Sequence, residues 1–334
     1  MLLGLAGVVV IVATFAYLLP TIADYRDVWR VVKGMSWEWT VALVAATAVN
    51  ILTFAPPWLA LLPGLRFWPT LMMTQASTAL SNVVPGGAAV GIATTYGMLR
   101  RAGFAPRAVA RSVTLVSLWN QLANLAYPIV ALFLLTMAGD ETAVLATAAF
   151  VGVAILGVAV GALVLVLYSS RMAADIGDLA ARAVTGVRGR LHREPVTWTG
   201  GSFERFRIEV VEVRRWHLLT LATFSGSLTV FVVLLVSLRA LQVPSAEVSA
   251  VEAFAAWSLA RILGSIPGGI GIVELSLTAA LIGFGGNNAG VVAAVLVYRF
   301  LTIVPTLTIV PTLVLGAVAA AVWWRLLRRV PATR

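Results

Sequence analysis

Apolar residues run along this chain in stretches of about twenty, the length a helix rising ~1.5 Å per residue needs to cross roughly 30 Å of hydrocarbon. Such stretches occupy residues 2–20, 39–62, 108–137, 141–168, 217–240 and 289–323. Two more apolar regions, 71–99 and 247–285, are each interrupted, by Pro85-Gly86-Gly87 and by Pro267-Gly268-Gly269. Within a membrane every backbone N–H and C=O must be satisfied by the protein, so only helices or closed barrels cross it. Runs such as AVLATAAFVGVAILGVAVGALVLVL lack the alternation of barrel strands. The pattern therefore predicts an all-α polytopic integral membrane protein with six spanning helices. It adds two re-entrant Pro-Gly-Gly hairpins, because proline lacks an amide donor and glycine weakens a helix. The alternative at each Pro-Gly-Gly is a kinked helix that crosses completely.

Composition agrees, since 60% hydrophobic and 11% charged residues cannot clothe a water-soluble globule. The first stretch leads into Pro20 and a charged loop (Asp24, Arg26, Asp27, Arg30, Lys33) without a small-residue cleavage site, so it reads as a retained helix rather than a signal peptide. The net charge of +10 comes mainly from Arg residues beside the spans. Anionic inner-leaflet lipids are the expected counter-charge, and nucleic acid is not an expected partner. The absence of Cys removes disulfides, thiolate chemistry and Cys-based metal sites.

Orientation follows from Arg and Lys staying on the cytoplasmic side. Arg100, Arg101, Arg107 and Arg111 stand without an acid between them, and Arg325, Arg328, Arg329 and Arg334 crowd the tail. In 169–217 Arg outnumbers Asp and Glu, whereas 138–142 is acidic and 21–38 is balanced. The expectation is a single plasma-membrane domain over 1–334 with both termini cytoplasmic. Residues 169–216 form a cytoplasmic connector in which Met172, Ile176, Leu179, Ala183 and Val187 recur at helical spacing. It lies on the inner leaflet as an amphipathic helix, or else is an ordinary solvated link. Trp29, Trp37, Trp39, Trp68, Trp216, Trp323 and Trp324 near span ends read as interfacial anchors.

The two Pro-Gly-Gly motifs, PGGAAVG and PGGIGIV, lie about half the chain apart, and each is preceded by one span and followed by another. Residues 39–137 and 217–323 thus read as two halves of opposite topology. Inverted repeats with broken helices place a substrate near the membrane midplane.

Charged side chains at that depth cost roughly 2.5–3.5 kcal/mol each and need a partner or a task. Arg261 and Glu274 flank the second Pro-Gly-Gly at similar distances from the expected tip and are expected to pair, with Arg299 deep in the last span. Two Arg against one Glu favour an anionic ligand such as a lipid phosphate, to which an Arg fork donates two parallel hydrogen bonds. Pro267, Gly268, Gly269 and Gly271 would add free N–H groups at a helix start; a closed structural network is the alternative. In the first half Pro85, Gly86, Gly87, Asn82, Asn120 and Asn124 complete the candidate substrate site, Asn120 and Asn124 sharing a helix face. Their plain role is interhelical hydrogen bonding. Glu252 is expected near the outer interface and Arg239 to snorkel outward.

The segments SNVVPGG, LRRAGFAPRAVARSV, ARILGSIPGGIGIVE and VLVYRFLT resemble the lysylphosphatidylglycerol synthase transmembrane region, or flippase-like, family over about residues 40–325. The resemblance implies a domain that moves anionic or aminoacylated phospholipids, or lipid-linked intermediates, between leaflets. It carries over Pro267, Gly268, Gly269, Gly271, Glu274 and Arg299. Relatives often have an acidic residue and an Arg soon after the first Pro-Gly-Gly; Ala88 to Met98 contains neither. The family's soluble aminoacyl-transferring domain is not expected here.

Translocation is the leading reading. An intramembrane transferase or a non-transporting lipid-binding scaffold is the alternative, and a homodimer is compatible with each. No enzyme activity, cofactor or metal is expected: the two histidines, His192 and His217, lie outside the apolar repeats, and neither HExxH nor a P-loop sequence occurs.

Overall fold

The computed structural model describes residues 24–83, 87–138, 215–264 and 271–303, with scattered positions between 154 and 208. The described residues are helical and include no strand. Ten helices are numbered here: α1 (Tyr25–Lys33), α2 (Trp37–Leu52), α3 (Pro56–Leu61), α4 (Phe67–Val83), α5 (Gly87–Arg101), α6 (Pro106–Met137), α7 (Trp216–Ala240), α8 (Ala250–Gly264), α9 (Ile272–Gly283) and α10 (Asn288–Ile303).

Three helical segments are long and apolar enough to cross a membrane: Trp37–Leu61, Pro106–Met137 and Trp216–Ala240. They match the expected spans 39–62, 108–137 and 217–240 closely. Many of their apolar side chains face outward, including Val44, Phe133 and Leu221, the last 67% exposed. Such a surface suits hydrocarbon as its solvent. Trp29, Trp37, Trp68 and Trp216 are exposed near helix ends, as interfacial anchors are. The expected spans 2–20 and 141–168, most of the connector 169–216 and residues 304–323 of the last span lie outside the described residues.

The expected loop 21–38 contains a helix instead. Asp24 accepts a hydrogen bond from the Arg26 N–H (2.8 Å), Asp27 stands in the first turn and Lys33 in the last, which suits both ends of the helix dipole. Its apolar positions Val28, Val31 and Val32 are spaced to share one face, which packs on the core, so α1 is amphipathic rather than solvated.

Two apolar cores stack along the bundle. One joins Trp58, Leu61, Met73, Leu99, Val109, Leu115, Trp119 and Leu219; the other joins Leu43, Tyr127, Leu135, Leu234, Leu238, Phe254, Trp257, Leu277 and Val291. Because α6 and α7 both begin in the first core and end in the second, they run parallel. α2 runs the other way against α7: Asn50 Nδ2 donates to Thr229 Oγ1 (2.9 Å), while Thr53 packs on Gly226.

The interrupted apolar regions each become two helices that pack on one another, α4 with α5 and α8 with α9. In the first pair Gly91 lies so close to Ser81 and the Ser77 carbonyl that no side chain fits between. Leu65, Met73, Leu99 and Phe104 anchor the open end of this pair in the first core. Val248, Phe254, Leu277 and Leu281 anchor the other pair in the second core. The two pairs therefore enter the bundle from opposite ends.

The open end of the α8–α9 pair is closed by polar contacts. Ser249 and Glu252 form a capping box, with Ser249 N–H on Glu252 Oε2 (2.7 Å) and Glu252 N–H on Ser249 Oγ (3.2 Å). Arg239 does not snorkel outward; it donates to the carbonyls of Val243 (2.7 Å) and Val248 (2.9 Å), satisfying the loop that follows α7. Asn287 N–H and Nδ2 both donate to Glu247 Oε2, at 3.0 and 2.8 Å.

Candidate functional site: a polar cavity between two helix pairs

A cavity of about 360 Å³ opens beside the middle of α6, within the range of small-ligand sites (~300–1,000 Å³). Its wall is assembled from five elements. The bend between α2 and α3 supplies Thr53, Phe54 and Trp58, and α4 supplies Thr74, Ser77 and Thr78. α6 contributes Asn120, α7 contributes Thr223 and Ser227, and α8 contributes Arg261. Both helix pairs thus reach one space, Ser77 and Thr78 from one end and Arg261 from the other.

The chemistry of the wall follows from helix periodicity. Thr74 with Ser77 and Thr78, and Thr223 with Ser227, stand three or four residues apart and so line one stripe of their helices. Gly226 in the second stripe lets Thr53 approach, its added Cβ position lying 3.3 Å from the Thr53 side chain. Most of these hydroxyls donate to a carbonyl one turn back, as Thr78 does to Thr74 O (2.8 Å).

Arg261 is positioned from two sides. Its Nε and Nη2 donate to Asn124 Oδ1 at 3.1 and 2.6 Å, and its guanidinium lies 4.9 Å from the Trp257 ring centroid and 5.9 Å from that of Tyr127. Trp257 stands one turn before Arg261 on α8, and Tyr127 is fixed by donating to Phe224 O (2.6 Å). The guanidinium is thereby presented to the cavity by an amide and two aromatic faces. Asn124 Nδ2 in turn donates to Gln121 Oε1 (3.1 Å).

The other two charged candidates meet each other. Arg299 Nε and Glu274 Oε1 are 2.6 Å apart, with the Glu274 side chain 1% exposed and that of Arg299 20%. Glu274 Oε2 also accepts from the Gly271 N–H (2.6 Å), where Gly271 caps α9 at φ 97°. One carboxylate thus closes the start of α9 and ties it to α10. Tyr298, next to Arg299 on α10, is buried.

The expected Arg261–Glu274 pair is replaced by Glu274–Arg299, with Arg261 turned to α6. Distance from the tip sets how far along each arm a residue lies; the ~100° turn per residue decides which neighbour it faces. Asn124 makes the interhelical contact its type suggested, whereas Asn120 returns its Nδ2 to Val116 O (2.9 Å) on its own helix. Glu274 and Arg299 are not among the described lining residues of the cavity. Asn82 and Gly87 lie in α4 and at the start of α5; Pro85, Gly86, Pro267, Gly268 and Gly269 lie outside the described residues.

Thr53, Trp58, Thr74, Thr78, Thr223 and Ser227 were not legible as site residues one at a time. The available signal was the polar stripe at spacing three and four within otherwise apolar helices.

The family model described as lysylphosphatidylglycerol synthase TM region matches residues 2–310. No curated protein matches the chain.

Proposed function

The chain belongs to the lysylphosphatidylglycerol synthase transmembrane region family, and from that premise we propose that it moves a phospholipid or a lipid-linked intermediate between the leaflets of the plasma membrane. The observation that carries this reading is the cavity beside the middle of α6, lined by hydroxyls, an amide and a guanidinium from both helix pairs. The barrier to lipid exchange is the transfer of a polar headgroup through hydrocarbon, where unpaired polar and charged groups are costly. Hydroxyls, an amide and a guanidinium held in the cavity replace part of the lost water, while acyl chains remain against the apolar exterior.

In this account the two pairs are re-entrant hairpins of an inverted repeat, six helices span, and both termini and the connector lie in the cytoplasm. Irregular backbone at a hairpin tip is tolerated because it lines a cavity. The role is non-enzymatic: substrate passes without a covalent change.

The test is exchange of an acyl-labelled anionic phospholipid in liposomes carrying the full chain, read by quenching of the outer-leaflet label. Wild type accelerates exchange over protein-free liposomes. Filling the cavity with Ser77→Leu and Thr223→Leu slows it about tenfold, the equivalent of roughly 1.4 kcal/mol of barrier. Exchange no faster than in empty liposomes contradicts the reading.

A further inference from the structure

Five exposed arginines gather at the end of the bundle where α4, α6 and α7 begin and α5 ends: Arg66, Arg100, Arg101, Arg107 and Arg215. They share that end because their chain neighbours share one core, Leu65, Leu99, Phe104, Ala108 and Leu219 all packing in the first apolar cluster. These arginines are not among the described lining residues of the cavity.

The turn between α5 and α6 fixes three of the five. Phe104 N–H donates to Leu99 O (3.3 Å) and Gly103 N–H to Arg100 O (3.1 Å), with Gly103 at φ 92°, the Schellman pattern that closes a helix end. Arg100 folds back so that its Nη1 donates to Phe104 O, and the rest of its guanidinium keeps further N–H donors. Pro106 then starts α6 directly before Arg107. Arg100, Arg101 and Arg107 are therefore carried on a short closed turn, and little conformational freedom is lost when they meet a ligand.

From this end toward the middle of the bundle, the exposed surface changes from charged to aromatic to aliphatic. Trp68 follows Arg66 by two residues, Trp216 follows Arg215 directly, and both are exposed. Met72, Met98 and Leu221 are exposed within six residues of an arginine of this group, which is roughly 9 Å along a helix at ~1.5 Å per residue. A phospholipid has the same succession of layers, from phosphate through glycerol ester to acyl chain. A free phosphate would use the first layer alone. Each Arg near an anionic lipid surface contributes about 1 kcal/mol, and a guanidinium fork donates two parallel hydrogen bonds to a phosphate.

We infer that this end of the bundle is a binding site for an anionic phospholipid, separate from the cavity. The phosphate lies between the α5–α6 turn and the starts of α4 and α7, and the acyl chains run along the exposed apolar surface beyond Trp68 and Trp216. The inference stands whether or not the chain moves lipid between leaflets.

The experiment is native mass spectrometry of the full chain in detergent with phosphatidylglycerol and phosphatidylcholine of identical acyl chains. Phosphatidylglycerol binds about tenfold more tightly. Arg100→Gln, Arg101→Gln and Arg107→Gln together lower its affinity about fivefold and leave phosphatidylcholine unchanged. Removing as many positive charges from α1, which packs on the second core, by Arg26→Gln, Arg30→Gln and Lys33→Gln changes it less than about twofold. Equal losses from the two triple variants, or equal binding of the two lipids, overturn the inference. Should the turn variant fail to fold by circular dichroism, Arg101→Gln and Arg107→Gln taken singly each weaken phosphatidylglycerol about twofold, and unchanged affinity in both overturns it.

Two further readouts separate this site from other sources of the same chemistry. Excess inorganic phosphate leaves the lipid bound; displacement would assign the arginines to a soluble anion and overturn the assignment to lipid. Phosphatidylglycerol with a photoreactive headgroup labels the segment around Gly103, and labelling confined to the cavity wall overturns the second site while leaving the cavity's role standing.

Discussion

At the residue scale, Glu274 holds two jobs that substitutions can separate. Its Oε2 closes the Gly271 N–H at the start of α9 and its Oε1 meets Arg299. Glu274→Gln keeps a carbonyl oxygen for the cap but loses the ionic partner, while Glu274→Ala loses both, removing the carboxylate from Arg299 and leaving the Gly271 N–H without its acceptor. Breaking a buried ion pair costs about 3–5 kcal/mol, and an unsatisfied donor adds about 1–3. Unfolding followed by intrinsic fluorescence in detergent is therefore expected to rank wild type above Glu274→Gln and Glu274→Ala lowest. Equal midpoints for the two variants would remove the capping role. Arg261, Glu274 and Arg299 stood out from sequence because ionisable groups are rare at membrane depth. Which of them pair did not, since that depends on how each helix is rotated about its axis.

At the element scale, the Pro-Gly-Gly motifs mark where the apolar regions divide, and the polar stripes mark which faces turn inward. The α4–α5 pair depends on Gly91, where any Cβ would collide with Ser81 Oγ and stand 3.0 Å from the Ser77 carbonyl. Gly91→Ala is expected to lower stability by about 1–3 kcal/mol through overpacking. Adding Ser81→Ala recovers part of that loss and leaves the part due to the Ser77 backbone, as a double-mutant cycle on thermal unfolding would show. Additive effects would mean that the two residues are not in contact. The helix in 25–33 is hard to read from sequence because its charges balance and its apolar positions are few, although Asp24 and Lys33 at its ends carry the signal. The Ser249–Glu252 capping box follows the S-x-x-E spacing and is legible in the sequence.

At the scale of the whole molecule, parallel α6 and α7 and antiparallel α2 agree with the crossing directions expected from the Arg-rich flanks. That agreement arises because loop charge and span length are coarse, summed properties that tolerate local error. The cavity was not legible, since it is built from five elements distant in sequence, and its contents depend on packing. Both helix pairs contribute side chains to one space, Ser77 and Thr78 from α4 and Arg261 from α8.

The claim on which the account turns is that this space receives a lipid headgroup. A cryo-electron microscopy map of the full chain in nanodiscs of phosphatidylglycerol tests it most directly. The account predicts elongated lipid density entering between the α4–α5 and α8–α9 pairs, its head against Arg261, Asn120 and Thr223. Lipid density confined to the apolar outer belt, with side chains of the protein filling that space, would contradict it.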